Sequence, residues 1–310
     1  MVILLMRRLM QAIVTLLVSV LLVFFLFSVI PGSFVNTMGG EKRDINAGLK
    51  AKIQQELHLD DPLPQRFAQY ALDMAHGDLG NSFSMRRPVV DILSERMVAS
   101  LRLAVAAILF AVAIGMPLGF IAAARQGTLI DAGVMMVAIS GLSIPAFWFG
   151  LLAMFFFSLR LGWLPTFGYG KGAISYLILP ALTMGVAPMA LIARTTRAAV
   201  LQTMSADYIR TARMKGATGV RIVTRHMARN ALVLILTTVG LQFGSMLGGA
   251  VIIESLFSWP GVGALLTQSV AQRDIPLVQG CVLLIITFFL VVNTLVDLAY
   301  MLIDPRIRYR

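Results

Sequence analysis

Residues 207–230 read DYIRTARMKGATGVRIVTRHMARN and place a dense group of basic residues between two long apolar segments. Each Arg or Lys costs about 2.5–3.5 kcal/mol at the centre of a membrane-spanning helix. The six basic residues from Arg210 to Arg229 would together cost on the order of 15–20 kcal/mol. This stretch therefore stays in water or at the membrane surface and separates two groups of apolar segments.

The composition is that of an integral membrane protein. Of the 310 residues, 58% are hydrophobic and only 13% are charged, and the mean hydropathy is +0.83. Several apolar runs reach the roughly 20 residues that a helix needs to cross a bilayer. A β-barrel would instead show short segments of alternating polarity. We therefore predict an all-α polytopic membrane protein.

Six apolar segments are long enough to span the membrane. The first is longer than the roughly 7–15 residues of a signal-peptide h-region and no A-x-A site follows it, so we expect a retained helix. The third contains Pro145, which is placed to kink a membrane helix. The predicted spans are 9–30, 99–124, 131–159, 176–199, 231–254 and 277–303.

Charge predicts the orientation of these helices. With six spans both termini share one side, and the excess of basic over acidic residues there equals the whole net charge of +11. By the positive-inside rule, we predict that both termini and residues 207–230 are cytoplasmic. The basic residues on this side are Arg7, Arg8, Arg125, Arg194, Arg197, Arg210, Arg213, Lys215, Arg221, Arg225, Arg229, Arg306, Arg308 and Arg310.

We predict three parts in the chain. Residues 1–30 form an N-terminal transmembrane helix. Residues 31–98, on the opposite side, form a segment with short helices, because an unstructured loop of this length is unusual. Residues 99–310 form a domain of five transmembrane helices with a cytoplasmic loop at about 200–230.

This loop has helical periodicity on both sides of a glycine turn. Ala206–Met214 suits a first short helix, Gly216 begins the turn, and arginines recur at i, i+4 and i+8 from Arg221 to Arg229. Two interpretations stay open: a cationic segment that holds topology and contacts anionic lipid, or a helical projection that docks into a partner. Nucleic acid is not expected, because interleaved aromatic residues are missing.

The loop resembles that of the membrane subunits of bacterial ABC importers. Their pattern E-A-A-x-x-x-G is kept at Ala212 and Gly216, with Arg210 replacing the Glu and Thr211 the first Ala. The chain is more similar to the dipeptide/oligopeptide/nickel-type permeases, whose Y-[IV]-R-T-A-R-x-K-G and R-H-x-x-R-N-A it reproduces. Further similar motifs are Leu57–Leu63, Gly77–Ser82, Ser143–Trp148, Gly162–Pro165, Leu179–Ala181, Phe257–Gly263 and Asp304–Arg308.

The resemblance implies a type I ABC importer permease fold in the bacterial inner membrane. The chain would form half of a pathway for di- or oligopeptides, as the first permease of a pair. The implied partners are a second homologous permease, two cytoplasmic ABC ATPases, a periplasmic substrate-binding protein and the lipid bilayer. The sequence lacks G-x-x-x-x-G-K-[ST], so we expect no enzyme activity or cofactor in this chain and assign ATP and Mg to the partner ATPases.

The resemblance also suggests roles for individual residues. The predicted ATPase-coupling residues are Asp207, Tyr208, Arg210, Thr211, Ala212, Arg213, Lys215 and Gly216. The candidates for the translocation path, for which helix packing is the alternative, are Ser140, Ser143, Gln242, Ser245 and Met246. The candidates for contact with the binding protein are Asp78, Trp259 and Arg273. Local capping stays open for Asp78, and a re-entrant turn with an interfacial side chain for Trp259.

Other functions remain as alternatives. The same architecture suits import of a chelated nickel or other metal, glutathione or another small solute. A gradient-driven secondary transporter would need buried ion sites, and in the sequence only Asp297 is a credible buried acid, because Glu254 is expected at the membrane interface. A membrane enzyme would need a nucleophile–base pair or a metal cluster in the spans. The sequence shows neither, and its three histidines lie outside the predicted spans.

Overall fold

The structure is a computed structural model, and it describes residues 2–28, 61–204, 209, 214 and 228–303. Within these residues the chain is helical and forms no β-sheet, which confirms the predicted fold class. The helices are α1 Val2–Ser28, α2 Leu63–Ala75, α3 Val89–Ala124, α4 Leu129–Ser143, α5 Ala146–Ala153, α6 Ile174–Met204, α7 Ala228–Leu256, α8 Val262–Ala271 and α9 Ile275–Ile303.

Five of these helices, α1, α3, α6, α7 and α9, are individually long and apolar enough to cross a membrane. Helices α4 and α5, with the π-helical turn Met154–Arg160 that continues α5, form a sixth candidate span. The predicted bounds differ most for the second span, because α3 begins at Val89 and not at residue 99. A helical stretch thus reaches into the segment that we had assigned to the outer side.

The third predicted span is broken. Helices α4 and α5 meet at an angle of 103°, whereas the sequence predicted one kinked helix over 131–159. Pro145 lacks a backbone N–H, and its ring disfavours the helical conformation at the preceding residue. Ile144 is accordingly extended, with φ −83° and ψ 126°. The proline therefore ends one helix and starts another.

The centre of the fold is the contact between α3 and α6, the most extensive helix pair among the described residues. Glycines bring the two backbones together. A Cβ atom at Gly115 would come within 2.5 Å of the Met189 carbonyl oxygen, and one at Gly119 would collide with the Ala193 carbonyl and with Thr196. Small residues allow such close packing in membrane helices, so α3 and α6 form the rigid middle of the domain.

The remaining helices surround this pair. Helix α7 packs on α6 and on α9, and α4 packs mainly on α6. Helix α1 lies at the periphery and reaches α9 through Val20, Val23 and Leu283, with Phe67 and Tyr70 of α2 against the same cluster. The short helix α8 lies between α7 and α9 at the end of the bundle where α3, α6 and α9 begin.

Candidate functional site

The predicted coupling segment begins directly after α6. Ile209 and Met214, the two described residues within it, are both helical; Ile209 is completely buried, whereas Met214 is 79% exposed. Ile209 belongs to one buried cluster with Ala199 and Val200 of α6, Ala123 of α3 and Ile235 of α7. The segment is therefore anchored to the end of α6 by an apolar contact. The predicted coupling residues that lie outside the described residues are Asp207, Tyr208, Arg210, Thr211, Ala212, Arg213, Lys215 and Gly216.

Asp131 and Arg197 form a two-point ion pair at this same end of the bundle. The Arg197 Nε donates to Asp131 Oδ1 at 2.6 Å, and its Nη2 donates to Oδ2 at 2.7 Å. Asp131 Oδ2 also accepts from the Gly127 backbone N–H at 3.0 Å. Asp131 is 5% exposed, and the Arg197 side chain is 27% exposed. The pair ties the beginning of α4 to the last part of α6.

Both charges lie on the side that is predicted to be cytoplasmic, but the sequence does not indicate that they form a pair. One signal was present, because Thr128 and Asp131 have the spacing of a capping box ahead of an apolar run. The structure has this cap, in which the Thr128 hydroxyl accepts from the Asp131 N–H. No local pattern connects Asp131 to a residue 66 positions later, so the ion pair itself could be found only in three dimensions.

At the opposite end, Glu254 of α7 closes the N-terminus of α8. Its Oε2 accepts from the backbone N–H groups of Gly263 and Ala264 at 2.8 and 3.1 Å, and its Oε1 accepts from the Ser100 hydroxyl at 2.6 Å. The Ser100 oxygen accepts in turn from the Val262 N–H at 2.8 Å. The first three N–H groups of α8, which lack partners within the helix, are thus all satisfied. A carboxylate is also favoured by the dipole at this helix end.

The burial of Glu254 was not predicted, whereas its position at the membrane interface stays a prediction. Its exposed fraction is 0%, and the buried carboxylate is held by hydrogen bonds from α3 and α8. Gly261 is required beside it, because a Cβ atom there would collide with the carboxylate. The motif Phe257–Gly263 therefore includes the glycines that let a buried acid approach a helix N-terminus.

Trp259 lies in the same turn and is completely buried. Its indole Nε1 donates to the Ala99 carbonyl oxygen at 2.9 Å, and its ring meets Tyr169 edge to face with centroids 4.8 Å apart. In this conformation the Trp259 side chain belongs to the core. Its contact with a binding protein and the alternative of a re-entrant turn both stay predictions.

A second buried acid, Asp274, fixes the loop before α3. Its Oδ2 accepts from the Ser82 hydroxyl at 2.6 Å, and from the N–H and hydroxyl of Ser84 at 2.9 and 2.7 Å. Its Oδ1 accepts from the Leu277 N–H at 3.4 Å, near the start of α9. The exposed fraction of Asp274 is 0%. One carboxylate thus holds together two segments that are 190 residues apart in the chain.

The other two candidates for binding-protein contact lie on the surface of this end. Asp78 is exposed, and its Oδ1 accepts from the Gly80 N–H at 2.8 Å, as the local-capping interpretation expects. Arg273 is exposed, with a positive φ of 56°. Asp78 also borders an open cavity of about 260 Å³ that Asn81 and Tyr70 help to line. Burial raises the pKa of Tyr70 to about 12, so its phenol stays protonated at neutral pH.

The candidates for the translocation path are divided between two helices. Ser140 and Ser143 are exposed on α4, next to the break before α5. On α7, Gln242 is partly exposed and Ser245 is exposed, with the Ser245 hydroxyl donating to the Gln242 carbonyl at 2.9 Å. Both helices pack on α6. Four of the five candidates are therefore accessible on helices that flank α6.

Met246, the fifth candidate, does not lie on an accessible surface. Its exposed fraction is 4%, and it belongs to the central cluster with Ala250, Ile253 and Phe257. Its burial fits the alternative of helix packing, and its role in the path stays a prediction. Neighbouring positions on a helix point in different directions, so Ser245 and Met246 were not separable without knowing which face is packed.

The acids in the apolar helices are also distributed differently from the prediction. Asp297 on α9 is only partly buried, whereas Glu254 and Asp274 are completely buried. Glu254 and Asp274 both accept from backbone and hydroxyl donors, whereas Asp131, which is also buried, pairs with Arg197. Within the described part of the chain, no three His, Cys, Asp or Glu side chains are grouped as metal ligands.

Comparison with solved structures supports the architecture. Two inward-facing crystal forms of the MetNI methionine ABC transporter match with TM-scores of 0.56 and 0.58. Each match covers 69% of this chain and 96% of the solved chain, at 17% and 18% sequence identity. At this identity the likeness concerns the fold alone, and it confirms the predicted type I ABC importer permease fold.

Comparison by sequence identifies the family. The model of the binding-protein-dependent transport system inner membrane component matches residues 115–309, and the model of the N-terminal region of such components matches residues 1–104. The chain is 41% identical to the di/tripeptide transport system permease protein DppB of Pseudomonas aeruginosa. It is also 41% identical to the glutathione transport system permease protein GsiC of Pectobacterium atrosepticum. Both alignments cover 98% of each chain. The chain therefore belongs to the inner membrane components of binding-protein-dependent transport systems and is a multi-pass ABC transporter permease.

Proposed function

We propose that this chain forms half of the translocation pathway of an ATP-driven importer of short peptides. The observation that carries this proposal is full-length similarity to two permeases whose named cargoes are di- or tripeptides and glutathione. Glutathione is itself a tripeptide, so both relatives transport molecules of one chemical class. The equal identities of 41% favour the class as a whole and do not select one member of it.

The proposed orientation follows the distribution of charge. The end that carries Asp131, Arg197 and the segment after α6 is cytoplasmic, as are both termini. The end that carries Glu254 and Asp274 is periplasmic. In this arrangement residues 1–30 form the first transmembrane helix, 31–98 the periplasmic segment and 99–310 the importer domain.

The proposed partners are those of a binding-protein-dependent system. A second, homologous permease completes the pathway, two cytoplasmic ATPases hold ATP and Mg, and a periplasmic binding protein delivers the peptide. The family description supports the binding protein. The missing phosphate-binding motif in the sequence supports separate ATPase subunits.

The described contacts suggest how such a subunit responds to ATP. The segment after α6 sits in an ATPase groove, and Ile209 attaches it to α6. Closure of the ATPases then displaces the end of α6, and the closely packed α3 and α6 move together as a rigid body. Ser140 and Ser143 face the pathway beside the break at Pro145.

The test is transport by the reconstituted complex. The products of the neighbouring genes are purified together with this chain in proteoliposomes, and uptake of a labelled dipeptide, a tripeptide and glutathione is measured. We expect uptake that requires the binding protein and ATP hydrolysis and persists when ion gradients are dissipated. Uptake driven by a gradient without ATP would overturn the proposal. Uptake of a nickel chelate and of no peptide would retain the ATP-driven architecture but replace the cargo.

A further inference from the structure

We infer that the Asp131–Arg197 ion pair is the mechanical link that makes α4 follow the coupling segment, an inference that rests on the proposed function. The pair joins two helices that have different tasks. Helix α6 continues into the coupling segment, whereas α4 leads to the break at Pro145. A link between them carries cytoplasmic movement to the part of the pathway formed by α4 and α5.

The first step is the attachment of the coupling segment to α6. Ile209 is buried with Ala199 and Val200, and Arg197 lies on the same helix two residues before Ala199. Less than one helical turn therefore separates the anchor of the coupling segment from the guanidinium group. Displacement of Ile209 displaces Arg197 with it.

The second step is the ion pair itself. A guanidinium that donates two parallel hydrogen bonds to one carboxylate fixes both the distance and the relative orientation of the two groups. The position of Asp131 is fixed further by the Gly127 N–H and by the Thr128 cap of α4. Movement of Arg197 is therefore passed to the start of α4 and not absorbed by rotation of an aspartate side chain.

The third step is the chemical nature of the other contacts between α4 and α6, the helix on which α4 mainly packs. An apolar cavity of about 190 Å³ lies between these helices and α3, bordered by Gly133, Ala138 and Ala193. A Cβ atom placed on Gly133 would meet nothing within 4 Å. The contacts around this cavity are apolar, and apolar contacts are non-directional. The ion pair is thus the directional connection between them.

The Asp131–Arg197 pair is less exposed than the ion pair Arg87–Glu95. The side chains of that pair are 49% and 58% exposed, against 27% and 7% for Arg197 and Asp131. Exposed pairs contribute little, because water screens them and either side chain can rotate away. Arg87–Glu95 therefore supplies a matched control, and Glu95→Gln removes one charge of an ion pair that links nothing in this scheme.

The experiment measures peptide uptake per ATP hydrolysed by the full complex in proteoliposomes, together with basal ATPase activity and subunit stoichiometry. We expect Asp131→Asn and Arg197→Gln to assemble with wild-type basal ATPase activity and to lower uptake per ATP about tenfold. The exchanged double variant, Asp131→Arg with Arg197→Asp, should restore most of the uptake per ATP. Glu95→Gln should leave the uptake per ATP unchanged. Rescue by exchange requires the contact between the two groups, and neither charge alone produces it.

The outcomes separate a link from a merely structural contact. If the single variants lose uptake and ATP hydrolysis in equal proportion, or retain wild-type uptake per ATP, the inference is overturned. Should they fail to assemble, Arg197→Lys decides, because it keeps the charge and loses the two-point geometry. A lowered ratio in Arg197→Lys supports the link, and a wild-type ratio rejects it. If the wild-type complex shows no ATP-dependent uptake, the proposed function fails first, independently of these variants.

Discussion

The carboxylate of Glu254 on α7 lies 2.8 Å from the Gly263 N–H at the beginning of α8. This contact lets the ten-residue helix α8 begin inside the protein, because it pairs backbone N–H groups of the first turn. Together with Ser100 it joins α3, α7 and α8 at one point. The end of the bundle that carries α8 is therefore fixed by polar contacts, whereas its middle is fixed by close helix packing.

Removing this carboxylate should destabilise the turn and α8. Glu254→Leu has a similar volume but leaves the α8 donors and the Ser100 hydroxyl without an acceptor. Because each unsatisfied buried group costs about 1–3 kcal/mol, we expect a loss of about 3–5 kcal/mol in the free energy of unfolding. Glu254→Gln keeps one acceptor oxygen and should cost less. Thermal unfolding of the purified complex measures the difference. An unchanged midpoint for Glu254→Leu would show that the contact is unimportant for stability.

The close approach of α3 and α6 should make Gly119 intolerant of a side chain. A Cβ atom there collides with the Ala193 carbonyl and with Thr196, so Gly119→Ala should destabilise the complex by about 1–3 kcal/mol. Gly133→Ala is the matched control, because its Cβ meets nothing within 4 Å. That control should be neutral or stabilising by about 0.5–1 kcal/mol. Equal unfolding midpoints for the two variants would contradict the packing.

Asp274 should protect the loop before α3 from proteolysis. Asp274→Ala removes the acceptor for Ser82 and Ser84. We therefore expect faster tryptic cleavage after Arg86, followed by mass spectrometry of the fragments, whereas the bond after Arg87 resists trypsin because Pro88 follows it. Asp91→Ala, at an exposed position of α3, is the control and should cleave at the wild-type rate. A wild-type rate for Asp274→Ala would mean that other contacts hold the loop.

The proposed orientation can be tested by cysteine labelling. Cys281 is completely buried, so a membrane-impermeant maleimide should not label the wild-type chain from either side. In Leu129→Cys, at a position 91% exposed, labelling should require access from the cytoplasm. In Lys171→Cys, also at an exposed position, intact cells should label from outside. The reverse pattern would invert the topology.

The coupling loop offers one prediction that follows from the sequence. Gly216 is placed at the turn after the first predicted helix, where a side chain restricts the backbone. Gly216→Leu should therefore lower uptake while the complex still assembles, measured by transport and by co-purification of the ATPase. Gly133→Ala serves as a glycine control. Normal transport by Gly216→Leu would reject the assigned position of the turn.

Pro145 and Trp259 show which features of the fold could be predicted from the sequence. Hydropathy located the apolar segments, and Pro145 indicated where the third would deviate. The size of that deviation, 103°, was not predictable, because a proline fixes its own φ and restricts its neighbour without setting the packing on either side. The motif around Trp259 was recognised as important, but its buried position follows from the hydrogen bond to Ala99.

The sequence by itself determined the membrane location, the family, the number of apolar segments and the side on which positive charge collects, because these depend on local composition and its sum along the chain. Only the tertiary structure decided which acids are buried and what each one holds. Glu254 finds Ser100, and Asp131 finds Arg197, across 154 and 66 positions of the chain. Such pairs depend on which helices are neighbours in the fold. Close packing at residues such as Gly119 brings those helices together.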